Sequence, residues 1–384
     1  MRISSNALDE RLYTQKNRYF NDSKNRGIIN YGEGNDYPDC FERLILSSQT
    51  ATACWRIMSS FIAGEGFVDP EIGKIIVGYD RGNKITLDRL KYMIASSLAM
   101  YNGVYIHANK NIYNEVSDVS VLPFKNCRLS VPDDFGYSGK TAVSQNWSKL
   151  YNKNKVKWYN DFSLNDVVTE KEIQNAGGIN EWTGQIYHFF HDNHFVYPLS
   201  IFDPVEFEMN TEQLVQVYKN REIANGFNSK TVIYVPRANS DDEFKQMQDD
   251  IHSFMGPDGA KELIVECDYD QEANLITNGY KFEPINSNID ADMFSETYQK
   301  SLTNNIRKAA NGMPAVLIDY SNEGLGQVSG ESLKSAYSYY NAMTADYREN
   351  VRDILSTLFE KTIINGLEGK DFEIRKKEFT ENEE

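Results

Sequence analysis

Two stretches, EFEMNTEQLVQVYKNREIAN over Glu206–Asn225 and DADMFSETYQKSLTNNIRKAAN over Asp290–Asn311, decide how this chain is organised. In the first, Phe207, Leu214, Val217, Tyr218 and Ile223 recur at helical spacing until Asn225-Gly226 stops them. The pattern predicts two helices, about 27 Å and about 33 Å long at ~1.5 Å of rise per residue. Between them lies a compact mixed segment. It reads as a strand over Thr231–Val235, a helix opened by Ser240-Asp241-Asp242 and closed at Gly256-Pro257-Asp258-Gly259, and strands over Glu262–Cys267 and Lys281–Ile285. The organisation implied is a stalk that carries a small α/β tip.

Upstream, short β-branched and aromatic runs (VYIHA, VSVLPF, CRLSV, KVKWY and GQIYHFF) fill the region from Val104 to Leu199 and predict antiparallel strands. Before them, Leu44, Leu46, Ala51, Trp55, Met58 and Ile62 place a helix over Phe41–Ala63, stopped by Gly64 and Gly66. A second helix runs from a Thr86 cap to Tyr101, with Asn102-Gly103 as its terminator. Residues 1–40 are polar and read as an arm that ends in Tyr31-Gly-Glu-Gly-Asn-Asp-Tyr-Pro38. Downstream, a loop with Gly324, Gly326 and Gly330 leads into a helix over Glu331–Ile364, striped by Leu333, Ala336, Tyr340, Tyr347, Val351, Ile354 and Leu358. Globular helices usually run ~10–14 residues, so one this long predicts packing against neighbouring subunits. The charged end of the chain reads as frayed. The fold class is α+β.

A chain of 384 residues is expected to form two or three folding units. Its net charge of −16 makes the surface repel phosphates and lipid headgroups, which excludes a tight free-standing DNA binder. No apolar run approaches the ~18–20 residues that span a bilayer and no signal-peptide core opens the chain, so the reading is a protein made in the cytosol and not held in a membrane. Cys40, Cys54, Cys127 and Cys267 stand without a CxxC pair, which fits reduced structural thiols.

Local strings, taken in order, resemble the portal proteins of long-tailed double-stranded DNA phages, of the siphophage type. Tyr31-Gly-Glu-Gly-Asn-Asp-Tyr-Pro38 followed by a helix and Ile62-Ala-Gly-Glu-Gly-Phe67 is similar to the family's amino-terminal section. Ala99-Met-Tyr-Asn-Gly-Val-Tyr105, then Leu122-Pro123 and Arg128, is similar to its wing segment. Tyr197-Pro-Leu199, Asn225-Gly-Phe227 and Ile306-Arg-Lys-Ala-Ala-Asn-Gly-Met-Pro314 resemble the stem entry, the stem exit and the turn after the second stem helix. The family often has a phenylalanine and a second proline in that turn, where this chain has Ala310 and Ala315.

The resemblance implies a portal fold with a mixed α/β wing, a two-helix stem, a small α/β clip, a long carboxy-terminal helix and a very short crown. It divides the chain into arm and wing over 1–203, stem helices over 204–226 and 288–312, clip over 227–287, tunnel loop over 313–330, and carboxy-terminal wing helix with crown over 331–384. It further implies a homo-oligomeric ring, a dodecamer, at the capsid vertex of a virion, assembled in the host cytoplasm. Its partners would be the terminase large subunit, a head–tail adaptor, the major capsid or scaffold protein, and double-stranded DNA passing through without sequence specificity. Met313, Val316, Leu317, Ile318, Gly324, Leu325 and Gly326 would line the channel, and Asp241, Asp242, Asp249 and Asp250 would dock partners on the clip. No catalytic residue, metal or cofactor is implied.

The charge of the tip agrees with such a conduit. Residues 227–287 hold twelve acids against five bases, a balance of −7. Each phosphate gripped by a cation must be released before DNA can slide, so an acidic passage favours movement and an acidic tip favours a basic partner. Rival chemistry is thin. Gly139-Lys140-Thr141 ends like a phosphate-binding loop and would anchor a nucleotide-using enzyme, but Asp134 stands where that motif has glycine. His188, His191 and His194 with Asp192 read as strand and turn residues rather than metal ligands, because a three-residue step on a strand alternates faces. Another virion subunit, of tail or baseplate, is the remaining alternative.

Overall fold

The computed structural model describes residues 21–23, 27–32, 34–132, 139–147, 156–192, 196–224, 231–235, 240, 242, 245–246, 263–266, 281–284, 291–318 and 330–379. The chain is α+β and divides into two compact units, Met1–Met209 with Thr303–Glu384 and Asn210–Leu302.

In the first unit, β1 (Asn21–Ser23) pairs antiparallel with β2 (Ile28–Asn30) and leads to α1 (Tyr37–Ser47) and α2 (Gln49–Ala63). The single helix expected over Phe41–Ala63 is therefore two. Ser48 lies extended between them, and its side chain accepts a hydrogen bond from Ala51 N, capping α2. A serine or threonine that offers its oxygen to the next turn competes with helix continuation, which apolar spacing does not report. After the hairpin of β3 (Ile76–Asp80) and β4 (Asn83–Thr86), α3 (Leu87–Tyr101) starts on its Thr86 cap and stops at Asn102, which is left-handed at φ 56°. The buried faces of α2 and α3 share one core.

Six strands form the main sheet, in the order β6-β5-β10-β9-β8-β7: β5 (Gly103–Lys110), β6 (Val116–Val121), β7 (Cys127–Leu129), β8 (Lys140–Val143), β9 (Lys157–Asp161) and β10 (Gln185–Phe190). The expected strands are present, but β9 and β10 pair parallel, through Gln185–Asn160 and Ile186–Asp161. A parallel neighbour needs a crossover. It contains α4 (Asp166–Ala176), capped by the Asn165 side chain on Val167 N. Thr169 is the one buried residue of α4, so apolar periodicity had nothing to detect.

Helix α5 (Glu206–Ala224) and helix α6 (Ala291–Ala309) are 19 residues each, and the division between the units falls inside both. Between them, β11 (Thr231–Val235) is the centre of a three-stranded sheet, parallel to β12 (Leu263–Glu266) and antiparallel to β13 (Lys281–Pro284). The helix expected after Ser240 lies largely outside the described residues.

The carboxy-terminal helix is α7 (Gly330–Met343) and α8 (Ala345–Leu358), broken at Thr344 and finished before Ile364. Thr344 Oγ1 donates back to Tyr340 O at 2.8 Å and accepts from Arg348 Nη1 at 2.8 Å. Arg348 Nη1 also reaches Phe61 O on α2, which fixes the bend. The frayed end is also corrected. Leu367 and Phe372 are buried, and Glu65 N and Val68 N donate to Arg375 O and Glu373 O, so the tail closes over the end of α2. Its charged residues face outward, while two apolar side chains and backbone pairing hold it.

Candidate functional site

Three of the strings that carried the resemblance meet around one buried side chain. Arg128, on β7, is 1% exposed. Its Nε donates to Asn35 Oδ1 at 2.6 Å, Nη2 to Asn35 O at 2.7 Å, and Nη1 to Lys125 O at 3.0 Å and Cys127 O at 2.7 Å. No carboxylate pairs with it among the described residues, and burial pulls its pKa below the ordinary guanidinium range. Backbone carbonyls and the π faces of Tyr31 and Trp147, 5.6 and 5.4 Å away, take the place of a counter-ion.

Asn35 adopts φ 58° and also accepts from Tyr31 N at 2.9 Å, which folds the glycine-rich string into the turn that receives Arg128. Tyr31 and Tyr197 stack at 4.2 Å. Tyr197 OH accepts from Leu129 N and donates to Ile29 O, both at 2.8 Å, while Tyr31 OH donates to Pro198 O. Burial raises both phenol pKa values, so both rings stay neutral donors. The arrangement is a structural lock that clamps the amino-terminal segment to β7 and to the chain entering α5. It presents no open coordination position or nucleophile.

The other strings also sit at junctions. Asn102 Nδ2 donates to Leu199 O, and Asn102 Oδ1 accepts from Tyr347 OH. A Cβ on Gly64 would come within 2.1 Å of Arg375 O, so Gly64 is required by the tail as well as by its φ of 62°. The turn after α6 is closed by Asn311 and Gly312, both left-handed, with Gly312 N on Lys308 O and Met313 N on Arg307 O.

Among the residues expected to line the channel, Met313 is a core residue, 3% exposed, and so cannot touch a passing ligand. Val316, Leu317 and Ile318 are half-buried at a short 3-10 turn, and Leu317 and Ile318 pack on the core. Gly324, Leu325 and Gly326 lie outside the described residues. Of the clip acids, Asp242 is exposed; Asp241, Asp249 and Asp250 also lie outside.

The nucleotide alternative loses its geometry. Lys140-Thr141 opens strand β8, not a helix, and Thr141 is buried with its hydroxyl 3.5 Å from Asp161 Oδ1. Among the described residues no helix starts there to receive a phosphate. His188 lies on β10 and His191 stacks on Tyr347 at 4.3 Å, with its Nδ1 2.7 Å from Asn350 Nδ2. His194 is outside the described residues, among which no group of three His, Cys, Asp or Glu is placed to hold a metal. No helix among them is long and apolar enough to cross a membrane.

No protein-family model and no curated protein matches the chain. Among solved structures it is similar to a chain in the virion of a native gene transfer agent particle, at 11% identity and TM-score 0.49, over 88% of this chain and 83% of that one. It is also similar to a chain in the neck of the native particle, at 10% and 0.48, over 96% and 89%. A third is an HK97-family phage portal protein from Corynebacterium diphtheriae, at 9% and 0.42, over 78% and 85%.

Proposed function

We propose that the chain is a non-enzymatic portal protein, a subunit of a dodecameric ring at one capsid vertex through which double-stranded DNA is packaged and later ejected. The observation that carries this is an exposed apolar face on the helices that flank the inserted sheet. In the second unit, Leu214, Val217 and Tyr218 of α5 are 59%, 40% and 56% exposed, and Tyr298 of α6 is 39% exposed. Leu214 and Tyr218 stand one turn apart on α5, with Val217 beside them. Large apolar side chains gathered on one face of a helix need a cover, and further copies of the same chain in a closed ring supply it.

In this reading the three-stranded sheet and its acidic surroundings form the clip. It docks the terminase large subunit and later a head–tail adaptor, while the wing contacts the major capsid or scaffold protein. The residues between Ile318 and Gly330 approach the DNA, and apolar contacts with Val316 and its neighbours let the duplex slide. Reversing the charge of Asp241, Asp242, Asp249 and Asp250 should weaken docking without dissolving the ring. The decisive experiment is negative-stain imaging of purified protein beside mature particles. Rings with a central hole are expected in both. A monomer at micromolar concentration, together with particles that lack the ring, refutes the reading.

A further inference from the structure

A cleft of about 690 Å³ opens in the first unit beside α4, between the turn Trp182–Gly184 and the end of β9. Its walls are aromatic, with Trp158, Phe162 and Trp182 foremost, and its charged lining is Asp161, Glu172 and Glu181 against Lys140. The Asp161 side chain is 15% exposed. Among the described residues its one hydrogen-bond donor is the distant Thr141 hydroxyl at 3.5 Å, and the nearest ring nitrogen, His188 Nδ1, is 3.9 Å away. Burial lowers the pKa of His188, so that imidazole is neutral and supplies no counter-charge. Glu172 has one oxygen on Gln185 Nε2 at 2.8 Å. Lys140 is exposed and forms no ion pair among the described residues.

A recessed carboxylate that meets no cation among the described residues is costly to keep charged in a cleft walled by aromatic rings. A positively charged side chain satisfies it. Arginine fits best, because its planar guanidinium can meet a carboxylate through two N–H groups and stack on indole faces at once. Phosphate-bearing ligands are opposed by the three carboxylates. We propose that this cleft receives an arginine side chain of a partner polypeptide, with the guanidinium on Asp161 and the aromatic walls. The proposal is independent of the portal reading.

The test titrates intact protein with three acetylated, amidated tripeptides, Gly-Arg-Gly, Gly-citrulline-Gly and Gly-Glu-Gly, followed by tryptophan fluorescence and calorimetry. The arginine peptide should bind, and its citrulline counterpart, equal in shape but uncharged, should bind at least tenfold more weakly. Asp161→Asn with Glu172→Gln should weaken arginine binding at least tenfold. Lys140→Gln, an exposed substitution that leaves the core alone, should strengthen it severalfold, a gain that misfolding cannot produce. Equal binding of arginine and citrulline peptides, or unchanged affinity in Lys140→Gln, overturns the proposal. So does preference for the glutamate peptide or for a short oligothymidylate.

Discussion

Replacing Arg128 with alanine tests whether the lock around it holds the amino-terminal segment. The guanidinium makes four hydrogen bonds, two of them to Asn35, and is 1% exposed. A hydrogen bond to a charged group contributes ~1.5–3 kcal/mol, but burying the cation costs several kcal/mol, so the four terms do not simply add. What remains after truncation decides the size: the carbonyls of Asn35, Lys125 and Cys127 lose their donor in a closed core, and a cavity opens beside Tyr31 and Trp147. Buried acceptors left unsatisfied cost ~1–3 kcal/mol each and truncating a large buried side chain costs ~3–5 kcal/mol, so a loss of about 3–5 kcal/mol is expected after the relief of burying the cation.

Arg128→Met, which refills the volume, should recover only part, since the carbonyls stay unpaired. Asn35→Gly keeps the left-handed backbone and removes Oδ1, and should cost about 1–3 kcal/mol. The double variant should show a coupling of about 1.5–3 kcal/mol, because both single changes delete the same 2.6 Å bond. The assay is urea unfolding followed by aromatic fluorescence, with amide hydrogen exchange of residues 27–41 as a local readout. A loss below 1 kcal/mol for Arg128→Ala, or strict additivity in the cycle, would refute the lock.

Three further outcomes follow from the geometry. Gly64→Ala places a Cβ 2.1 Å from Arg375 O at a φ of 62°; it should cost more than about 2 kcal/mol and expose residues 366–379 to limited proteolysis, whereas an unaltered digestion pattern would mean that the tail is held otherwise. Burial raises the Asp161 carboxyl pKa to about 6, so the folded state binds that proton more tightly than the unfolded state and stability falls as pH rises from ~4 to ~6. At ~1.4 kcal/mol per pH unit the ceiling is about 3 kcal/mol, reduced to about 1–2 by the solvent-open cleft, and Asp161→Asn should flatten that part of the stability–pH curve. Leu214→Asp with Tyr218→Asp should leave the circular dichroism spectrum near wild type but abolish rings in electron micrographs, because both side chains are exposed in the single chain; intact rings would move the subunit interface elsewhere.

Local chemistry makes part of this fold legible along the chain. Apolar spacing with Thr86 and Gly64 at its ends located α3 and the end of α2, the β-branched runs located five of the six strands of the main sheet but passed over β8 and the hairpins before it, and the two helices around a small sheet were legible from periodicity and glycine stops. Segments that lack a one-sided apolar pattern take their conformation from long-range contacts. Helix α4 buries Thr169 alone, so its existence depends on its cap and on the crossover that a parallel β9–β10 pair demands. The breaks at Ser48 and Thr344 come from side-chain oxygens that bond to backbone or to Arg348, which a stripe of apolar residues passes over.

The same division holds for the sites. Arg128, Asn35 and Tyr197 lie in strings that the sequence singles out one by one, but what joins them is a set of hydrogen bonds across 68 to 168 positions, which no local pattern encodes, as the direct Arg128–Asn35 step of 93 residues shows. Asp161 looks like any strand-end aspartate until α4 and Trp182 line the cleft around it and partial burial raises its pKa. Met313, read as channel-lining from its place after the second stem helix, is instead buried in the core, because sequence position fixes the neighbourhood of a residue but only packing fixes the direction of its side chain.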